Sequence, residues 1–173
     1  STSPTASARG CARGTAMIDV VIRAARPADL PACAAIINAY IDATDWLPRA
    51  RPAEEIAAMF SPDLLERRRV LVAEQGGTVV GYASLDPATA FLASLYLAPA
   101  AQGRGVGRQM LDRIKAEAPG GFVLNVWQPN TAARRFYERE GLAVAGESVD
   151  ADGLPVWEMA WPGMSAPDLG APA

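Results

Sequence analysis

The stretch Ala90–Ala118 constrains the fold of this chain most strongly, because strand, turn and helix signals follow one another there without interruption. An uncharged apolar run at residues 91–97 is typical of a strand that is covered on both faces of a sheet. Pro99 cannot pair within a central strand, so the strand is expected to end before it. Apolar residues recur at helical spacing over residues 106–114, and Pro119 marks the end of the predicted helix.

A glycine-rich turn, Gln102–Arg108, connects this strand to the helix. Its glycines leave the backbone N–H groups at the positive end of the helix dipole open to a ligand. Such a turn suits a phosphate or pyrophosphate, with Arg104 and Arg108 adding hydrogen bonds from the rim. The alternative is a tight turn that carries two solvated arginines. The lysine of a P-loop and the third glycine of a dinucleotide-binding fingerprint are both missing.

Composition excludes several function classes. The 173 residues contain no histidine, which removes Ser-His-Asp, Cys-His and histidine-ligated metal chemistry, and we expect no metal. The net charge of −3 argues against nucleic-acid binding, and no apolar run approaches the ~18 residues of a membrane span. The two cysteines, Cys11 and Cys33, are far apart, so we expect a reducing, cytoplasmic setting and no disulfide framework.

The length predicts a single domain, which we place at residues 17–161. Residues 1–16 lack the apolar core of a secretory signal and are rich in small residues and arginine, so we predict a disordered extension. Residues 162–173 are rich in proline, glycine and alanine, and we predict a flexible tail.

Turn signals give the order of the elements before the central stretch. A short β-branched strand at residues 18–23 precedes two helices, with Asp29 as the expected N-cap of the first and Pro52 as the start of the second. A hairpin turned at Gly76-Gly77 follows. Gly81, in its second arm, indicates a bulge or a close backbone approach.

After the central helix, residues 122–127 form a strand signal, and the crossover predicts that this strand runs parallel to the central one. The next helix is expected to begin at Asn130, a favourable N-cap, and to end before Gly141. A last hairpin is predicted to turn at Asp152-Gly153.

Two motifs together resemble the GCN5-related N-acetyltransferase (GNAT) superfamily. The first is Gln-x-x-Gly-x-Gly, found here at Gln102, Gly105 and Gly107 after a strand ending in "LYLAP". The second is Asn-x-x-Ala-x-x-Phe-Tyr-x-x-x-Gly, found here at Asn130, Ala133, Phe136, Tyr137 and Gly141. The resemblance implies an α/β (α+β) fold: a single GNAT-like domain with a mixed central sheet of about seven strands, helices on both faces and a splayed parallel strand pair.

The resemblance also implies acetyl-CoA as cosubstrate and gives roles to matching residues. The backbone of Leu95 and Leu97 would pair with the pantetheine arm, and the Leu97 N–H would donate to the thioester carbonyl. The pyrophosphate would be held by Gln102, Gly103, Arg104, Gly105, Val106, Gly107 and Arg108. Asn130 would contact the pantetheine, and Tyr137 would protonate the departing thiolate. A simple N-cap and a core tyrosine are the structural alternatives for these two residues.

The activity that the resemblance implies is direct acetyl transfer to a primary amine. We expect a small-molecule acceptor, because nothing in the sequence indicates a long peptide groove. Protein N-terminal or lysine acetylation and a catalytically inactive acyl-CoA-binding sensor are the alternatives. Trp46, in the loop after the first helix, is a candidate wall of the acceptor pocket, or else an aromatic packed on the core. Many members of this superfamily dimerise, so a homodimer is an alternative to a monomer.

The sequence singles out no general base for the acceptor amine. The central strand offers Ser94 and Tyr96, and neither is an acid. Asp86, Glu147 and Glu158 lie on or beside neighbouring predicted strands. A proton relay through water is therefore the expected route.

Overall fold

The computed structural model describes residues 19–164, so the predicted extension at residues 1–16 and the tail beyond residue 164 lie outside the described residues. The described strands are β1 (Val20–Ala24), β2 (Arg69–Gln75), β3 (Thr78–Asp86), β4 (Phe91–Leu97), β5 (Phe122–Trp127), β6 (Ala143–Val149) and β7 (Pro155–Trp161). The described α-helices are α1 (Leu30–Ala43), α2 (Ala53–Met59), α3 (Asp63–Arg67), α4 (Val106–Glu117) and α5 (Thr131–Arg139).

The strands form one mixed sheet in the order β1-β2-β3-β4-β5-β7-β6. Neighbouring strands are antiparallel except β4 and β5, which run parallel. These two strands are paired only at Phe91, which lies opposite Val123, and beyond this position they diverge. The prediction of a seven-stranded mixed sheet with a splayed parallel pair is confirmed.

Helices cover both faces of this sheet, as predicted. On one face, α4 buries Met110 and Ile114 completely against the strands. On the other face, α1 buries Cys33 against Tyr82 of β3. Each fully buried methionine or isoleucine side chain contributes roughly 1.5–3 kcal/mol to folding stability. The two helical layers therefore stabilise the sheet from both sides.

Gly81 has both features that its place in the sequence predicts. The register of β2 and β3 shifts between Ala73 and Glu74, which gives β3 an extra residue beside Gly81. A Cβ atom on Gly81 would lie 2.6 Å from Leu97 Cδ2 and 3.3 Å from Met110 Sδ. The glycine therefore leaves room for the Leu97 and Met110 side chains and for the Tyr96 carbonyl, which would lie 3.1 Å from that Cβ atom.

Asp29 precedes α1, but its side chain does not cap that helix, contrary to expectation. Its carboxylate accepts hydrogen bonds from the Arg23 guanidinium at 2.7 and 2.9 Å and from the Arg26 N–H at 2.7 Å. Arg23 also donates to Glu74 at 2.6 Å. Because the arginine and the backbone N–H together satisfy the carboxylate, Asp29 joins the first helical turn to β1 and β2.

One other local expectation is wrong. Strand β4 is not covered on both faces: Leu92 is buried, but Ala93 is exposed and residues 94–97 are only half-buried. One side of this strand lines a cleft, which the apolar run does not reveal. The short helix α3, which follows Pro62, is an element that the sequence does not predict.

The last described residues run back along the turn before β5. The Met164 N–H donates to the Pro119 carbonyl at 2.9 Å, and Gly163 (φ +95°) lies against Gly120 and Gly121. Within residues 19–164, none of the helices combines the length and the apolar character that a bilayer crossing requires.

Candidate active site

Beyond Phe91, the edge of β4 that faces β5 has no strand partner. The Ala98 N–H donates to the Val80 carbonyl of β3 at 2.7 Å. Because backbone N–H groups point alternately to the two edges of a strand, those of Leu95 and Leu97 point toward the diverging β5. They are therefore available to an extended ligand lying between the two strands.

The turn after β4 presents the start of α4 to the same cleft. Gly103 (φ +72°) and Gly105 (φ +79°) have left-handed backbone conformations that favour glycine. No side chain caps α4, so the N–H groups of residues 106–108 remain open at the positive end of the helix. The Gln102 side chain donates to the Leu97 carbonyl at 3.3 Å and ties the turn to the strand. This arrangement can bind an anion.

A cavity of about 550 Å³ lies between β4, this turn and α5. Most of the residues predicted to bind or act on the cosubstrate line it: Leu95, Leu97, Gln102, Gly103, Gly105, Gly107, Arg108, Asn130 and Tyr137. Arg108 and Arg139 give its rim positive charge. Glu140 also lines the cavity and lies 3.8 Å from the Arg108 guanidinium; because the arginine is exposed and the distance is long, this pair contributes little to stability.

Two residues of the predicted anion turn do not line this cavity. Val106 is 2% exposed and packs in the core, so only its backbone N–H is available to a ligand. Arg104 is exposed but lies outside the cavity lining.

A second cavity, of about 210 Å³, opens where β4 and β5 diverge. Six residues line both cavities, which therefore meet: Tyr40, Leu95, Tyr96, Asn130, Ala133 and Tyr137. The cleft is thus continuous, with the glycine-rich turn at the end of the larger cavity and the strand gap at the smaller one.

Tyr137 lies at the junction of the two cavities and is 8% exposed. Burial raises the pKa of Tyr137 well above its usual value, and the nearby Tyr40 raises it further. The phenol therefore keeps its proton at neutral pH and can donate it to an anion that forms beside it.

Asn130 joins α5 to α1 across the same junction. Its Oδ1 accepts the Ala133 N–H at 3.1 Å, which is the predicted N-cap. Its Nδ2 donates to the Tyr40 hydroxyl at 2.9 Å, a contact that the sequence does not indicate. The capping bond and the Tyr40 bond use different atoms of one amide, so the cap is compatible with a role in the cleft.

Aromatic rings form one wall of the smaller cavity. Tyr40 is stacked on Trp127 with ring centroids 6.3 Å apart, and it also contacts Tyr96 at 5.1 Å. Trp46 packs edge-on against Trp127 at 5.9 Å and is 37% exposed. Trp46 does not itself line either cavity, but it supports a ring that does.

Asp150 lines the smaller cavity, and sequence reasoning does not find it among the candidate acids. It accepts hydrogen bonds from Trp127 Nε1 at 2.8 Å and from the N–H groups of Asp152 and Leu154, each at 2.9 Å. Burial opposes ionisation, but these three bonds outweigh it and hold the pKa of Asp150 below its usual value. The Asp-x-Asp-Gly sequence predicts the turn, whereas pairing between distant strands brings the carboxylate to the cavity.

The three acids considered as a base, Asp86, Glu147 and Glu158, do not line either cavity. Tyr40, which the helical spacing places only on the apolar face of α1, contacts both cavities. The sequence signal for Tyr40 is weak, since one aromatic on an amphipathic helix is typical of a core position.

Comparison with known proteins agrees with this geometry. The model of the acetyltransferase (GNAT) family matches residues 36–142, more than half of the chain. The chain belongs to the GNAT acetyltransferase family. The predicted resemblance is thereby confirmed, and the protein is an acetyl-CoA-dependent N-acetyltransferase.

Individual relatives differ in what their names say they act on. Peptidyl-lysine N-acetyltransferase YiaC of Escherichia coli is 28% identical over 82% of this chain and 97% of its own length. L-amino acid N-acyltransferase MnaT of E. coli is 32% identical over 73% of this chain and 81% of its own. The yncA acetyltransferase of Salmonella typhimurium, solved with its cofactor acetyl-CoA, superposes with a TM-score of 0.66 at 28% identity, covering 90% of this chain and 98% of that one.

Proposed function

We propose that this protein transfers the acetyl group of acetyl-CoA directly to a primary amine of a small molecule. The observation that carries the proposal is the junction of the two cavities at Tyr137 and Asn130. One side of the junction has the anion-binding turn expected for a nucleotide cosubstrate, and the other side has room for a small acceptor. A ternary complex in one continuous cleft needs no acyl-enzyme.

The chain's backbone would hold the cosubstrate, which supplies an acetyl thioester when bound. The free N–H groups of Leu95 and Leu97 would pair with the pantetheine amides, as an added strand does. The segment Gln102–Arg108 would bind the pyrophosphate through the open end of α4 and the Arg108 guanidinium. Asn130 would contact the pantetheine from the opposite wall.

The same groups account for the chemical step. The acceptor nitrogen attacks the thioester carbonyl carbon, and the Leu97 N–H stabilises the negative charge that develops on the carbonyl oxygen. The C–N bond forms, the C–S bond breaks, and Tyr137 donates its proton to the departing thiolate. The acceptor ammonium loses one proton through water before the attack and a second proton from nitrogen after the C–N bond has formed; the second returns through water to Tyr137.

The size of the acceptor side favours a small molecule. Its volume of about 210 Å³ is below the ~300–1,000 Å³ typical of drug-sized sites. Trp46 would support the acceptor wall indirectly, by packing against the Trp127 ring that lines it. The alternative, acetylation of a protein lysine or N-terminus, is favoured by the name of the relative YiaC.

The test is CoA release from acetyl-CoA, measured with a panel of small primary amines and with lysine-bearing and free N-terminal peptides. We expect turnover with at least one small amine and none above background with the peptides. Turnover with the peptides alone would support the alternative. Binding of acetyl-CoA without turnover of any amine would indicate a sensor.

A further inference from the structure

The smaller cavity has a single charged side chain in its lining, that of Asp150. The other lining residues are apolar, aromatic, hydroxyl or amide residues. An acceptor that enters this cavity therefore meets one fixed negative charge. In the described part of the chain, no lysine or arginine forms an ion pair with that carboxylate.

The three hydrogen bonds to Asp150 fix its position without neutralising it. The donors are the Trp127 indole and the backbone N–H groups of Asp152 and Leu154, all of them uncharged. Oδ1 accepts both backbone bonds, and Oδ2 accepts only the indole bond. A carboxylate offers about four acceptor positions, so Oδ2 retains capacity for one more donor.

The aromatic wall beside Asp150 suits the same kind of ligand. Trp127 donates its N–H to the carboxylate while its ring stacks with Tyr40. Ring faces attract ammonium groups, and each of these stacked rings can do so only through the side that the other ring does not cover. The unpaired carboxylate is therefore the main attraction for a cation, and the aromatic and apolar walls suit the carbon chain that carries it.

Asp150 is poorly suited to be the general base. Its hydrogen bonds hold its pKa below the usual carboxylate range, and a weaker base accepts a proton less readily. A fixed negative charge also raises the pKa of an adjacent ammonium and so opposes the deprotonation that must precede attack. The carboxylate therefore fits a group that stays positive throughout the reaction.

We infer that the acceptor carries a second group that stays positively charged during the reaction, which Asp150 binds while the reacting amine reaches the thioester at the Tyr137 end of the cavity. This inference rests on the proposed function and names its substrate class: small diamines and related dications. Acceptors with a carboxylate, including free amino acids, are disfavoured because the described lining offers them no cation and Asp150 repels them.

The test compares three acceptors that share a four-carbon chain: 1,4-diaminobutane, butylamine and 4-aminobutyrate. They present a second cation, no second charge and an anion, respectively. We expect wild-type kcat/KM to be at least roughly tenfold higher for the diamine than for butylamine, and lowest for 4-aminobutyrate, since a hydrogen-bonded charge commonly contributes at least that factor. Equal values for the diamine and butylamine would overturn the inference.

Asp150→Asn removes the charge while keeping an amide oxygen for the two backbone bonds. We expect kcat/KM for the diamine to become about equal to that for butylamine, and kcat/KM for 4-aminobutyrate to rise. Asp152→Asn is the matched control: it removes the same charge from an exposed position on the same hairpin, outside the cavity lining. A diamine preference unchanged in Asp150→Asn would overturn the inference.

Equilibrium binding separates this inference from the proposed function. Calorimetric titration of the CoA-bound protein with the diamine and with butylamine needs no turnover. We expect the diamine to bind at least roughly tenfold more tightly, with the difference falling as NaCl is raised. Equal binding would overturn the inference even if acetyl transfer occurs. Selective diamine binding with no turnover of any amine would instead contradict the proposed function alone.

Discussion

The side-chain amide of Asn130 donates a 2.9 Å hydrogen bond to the hydroxyl of Tyr40, a residue 90 positions earlier in the chain. This bond joins α1 to α5 at the point where the two cavities meet. Since the same asparagine caps α5 through Ala133, one side chain fixes both the start of that helix and the wall of the cleft.

These two roles of Asn130 can be separated by substitution. Asn130→Asp keeps an N-cap oxygen but lacks the amide donor, whereas Asn130→Ala loses both. We expect the alanine variant to lose about 1 kcal/mol of unfolding free energy and the aspartate variant much less. Both should lose acetyltransferase activity. Unfolding is measured with denaturant and activity by steady-state kinetics; an alanine variant with full activity would contradict a role of Asn130 in the cleft.

Tyr137→Phe tests the proton donor. The substitution keeps the buried ring and removes only the hydroxyl, so we expect kcat to fall by about 100-fold, the lower range of general-acid contributions. Calorimetric affinity for acetyl-CoA should stay within about twofold of the wild-type value, because the phenol acts on the departing thiolate. The matched control is Tyr82→Phe, which removes the hydroxyl of another buried tyrosine that lines neither cavity and should leave kcat nearly unchanged. An unchanged kcat in Tyr137→Phe would remove this residue as the acid.

Gly105→Asp tests the anion-binding turn, and Gly153→Asp is a close control. The two glycines have φ of +79° and +80°, and a Cβ atom added to either would meet no other atom within 4 Å, so the backbone strain of substitution is the same. Of these two glycines, Gly105 lines the larger cavity and Gly153 does not. We expect Gly105→Asp to weaken acetyl-CoA binding by at least about 100-fold through charge repulsion, and Gly153→Asp to leave it nearly unchanged. Similar affinities in the two variants would contradict the assignment.

Asp29 should make stability depend on pH in the acid range. Hydrogen bonds from Arg23 lower the folded-state pKa of Asp29 to about 2, against about 3.9 for an unfolded aspartate. A depressed folded pKa contributes stability that is present above about pH 4 and is lost as the pH falls from about 4 to about 2.

We therefore expect Asp29→Asn to lower the free energy of unfolding by about 2 kcal/mol at pH 7 and by much less at about pH 2.5. The change is measured by denaturant titration at both pH values. Asp112→Asn, on the exposed side of α4, is the control and should cost little at either pH. If Asp29→Asn lost the same unfolding free energy at both pH values, the carboxylate charge would not be the cause of the loss.

Local signals predict much of the fold. The glycine turn, the proline stops and the Asn130 cap each depend on the conformation of a few consecutive residues, and these predictions agree with the structure. The exposure of β4 could not be predicted, because an apolar run looks the same whether it faces a core or a cleft. Asp29 departs from its expected role as a cap because its partner Arg23 lies on a strand and competes with the helix end for the carboxylate.

The acceptor side of the cleft depends on contacts between distant segments. Asp150 reaches the smaller cavity only because β5 pairs with β7 so that Trp127 lies opposite Val156. The sequence around Asp150 predicts a hairpin turn and nothing more. Tyr40 becomes a cleft residue only when the start of α5, at Asn130, meets α1. Two local motifs were therefore enough to propose the residues of the cosubstrate side, whereas the residues proposed for the acceptor side required the three-dimensional structure.

The most direct measurement follows the acetyl group itself. The protein is incubated with acetyl-CoA, small amines and a lysine-bearing peptide together, and mass spectrometry quantifies free CoA and each acetylated product. We expect one acetylated small amine per CoA released, with no acetyl group on the peptide or on the enzyme. Acetylation of the peptide alone, or CoA release without any amide product, would contradict transfer to a small amine in this cleft.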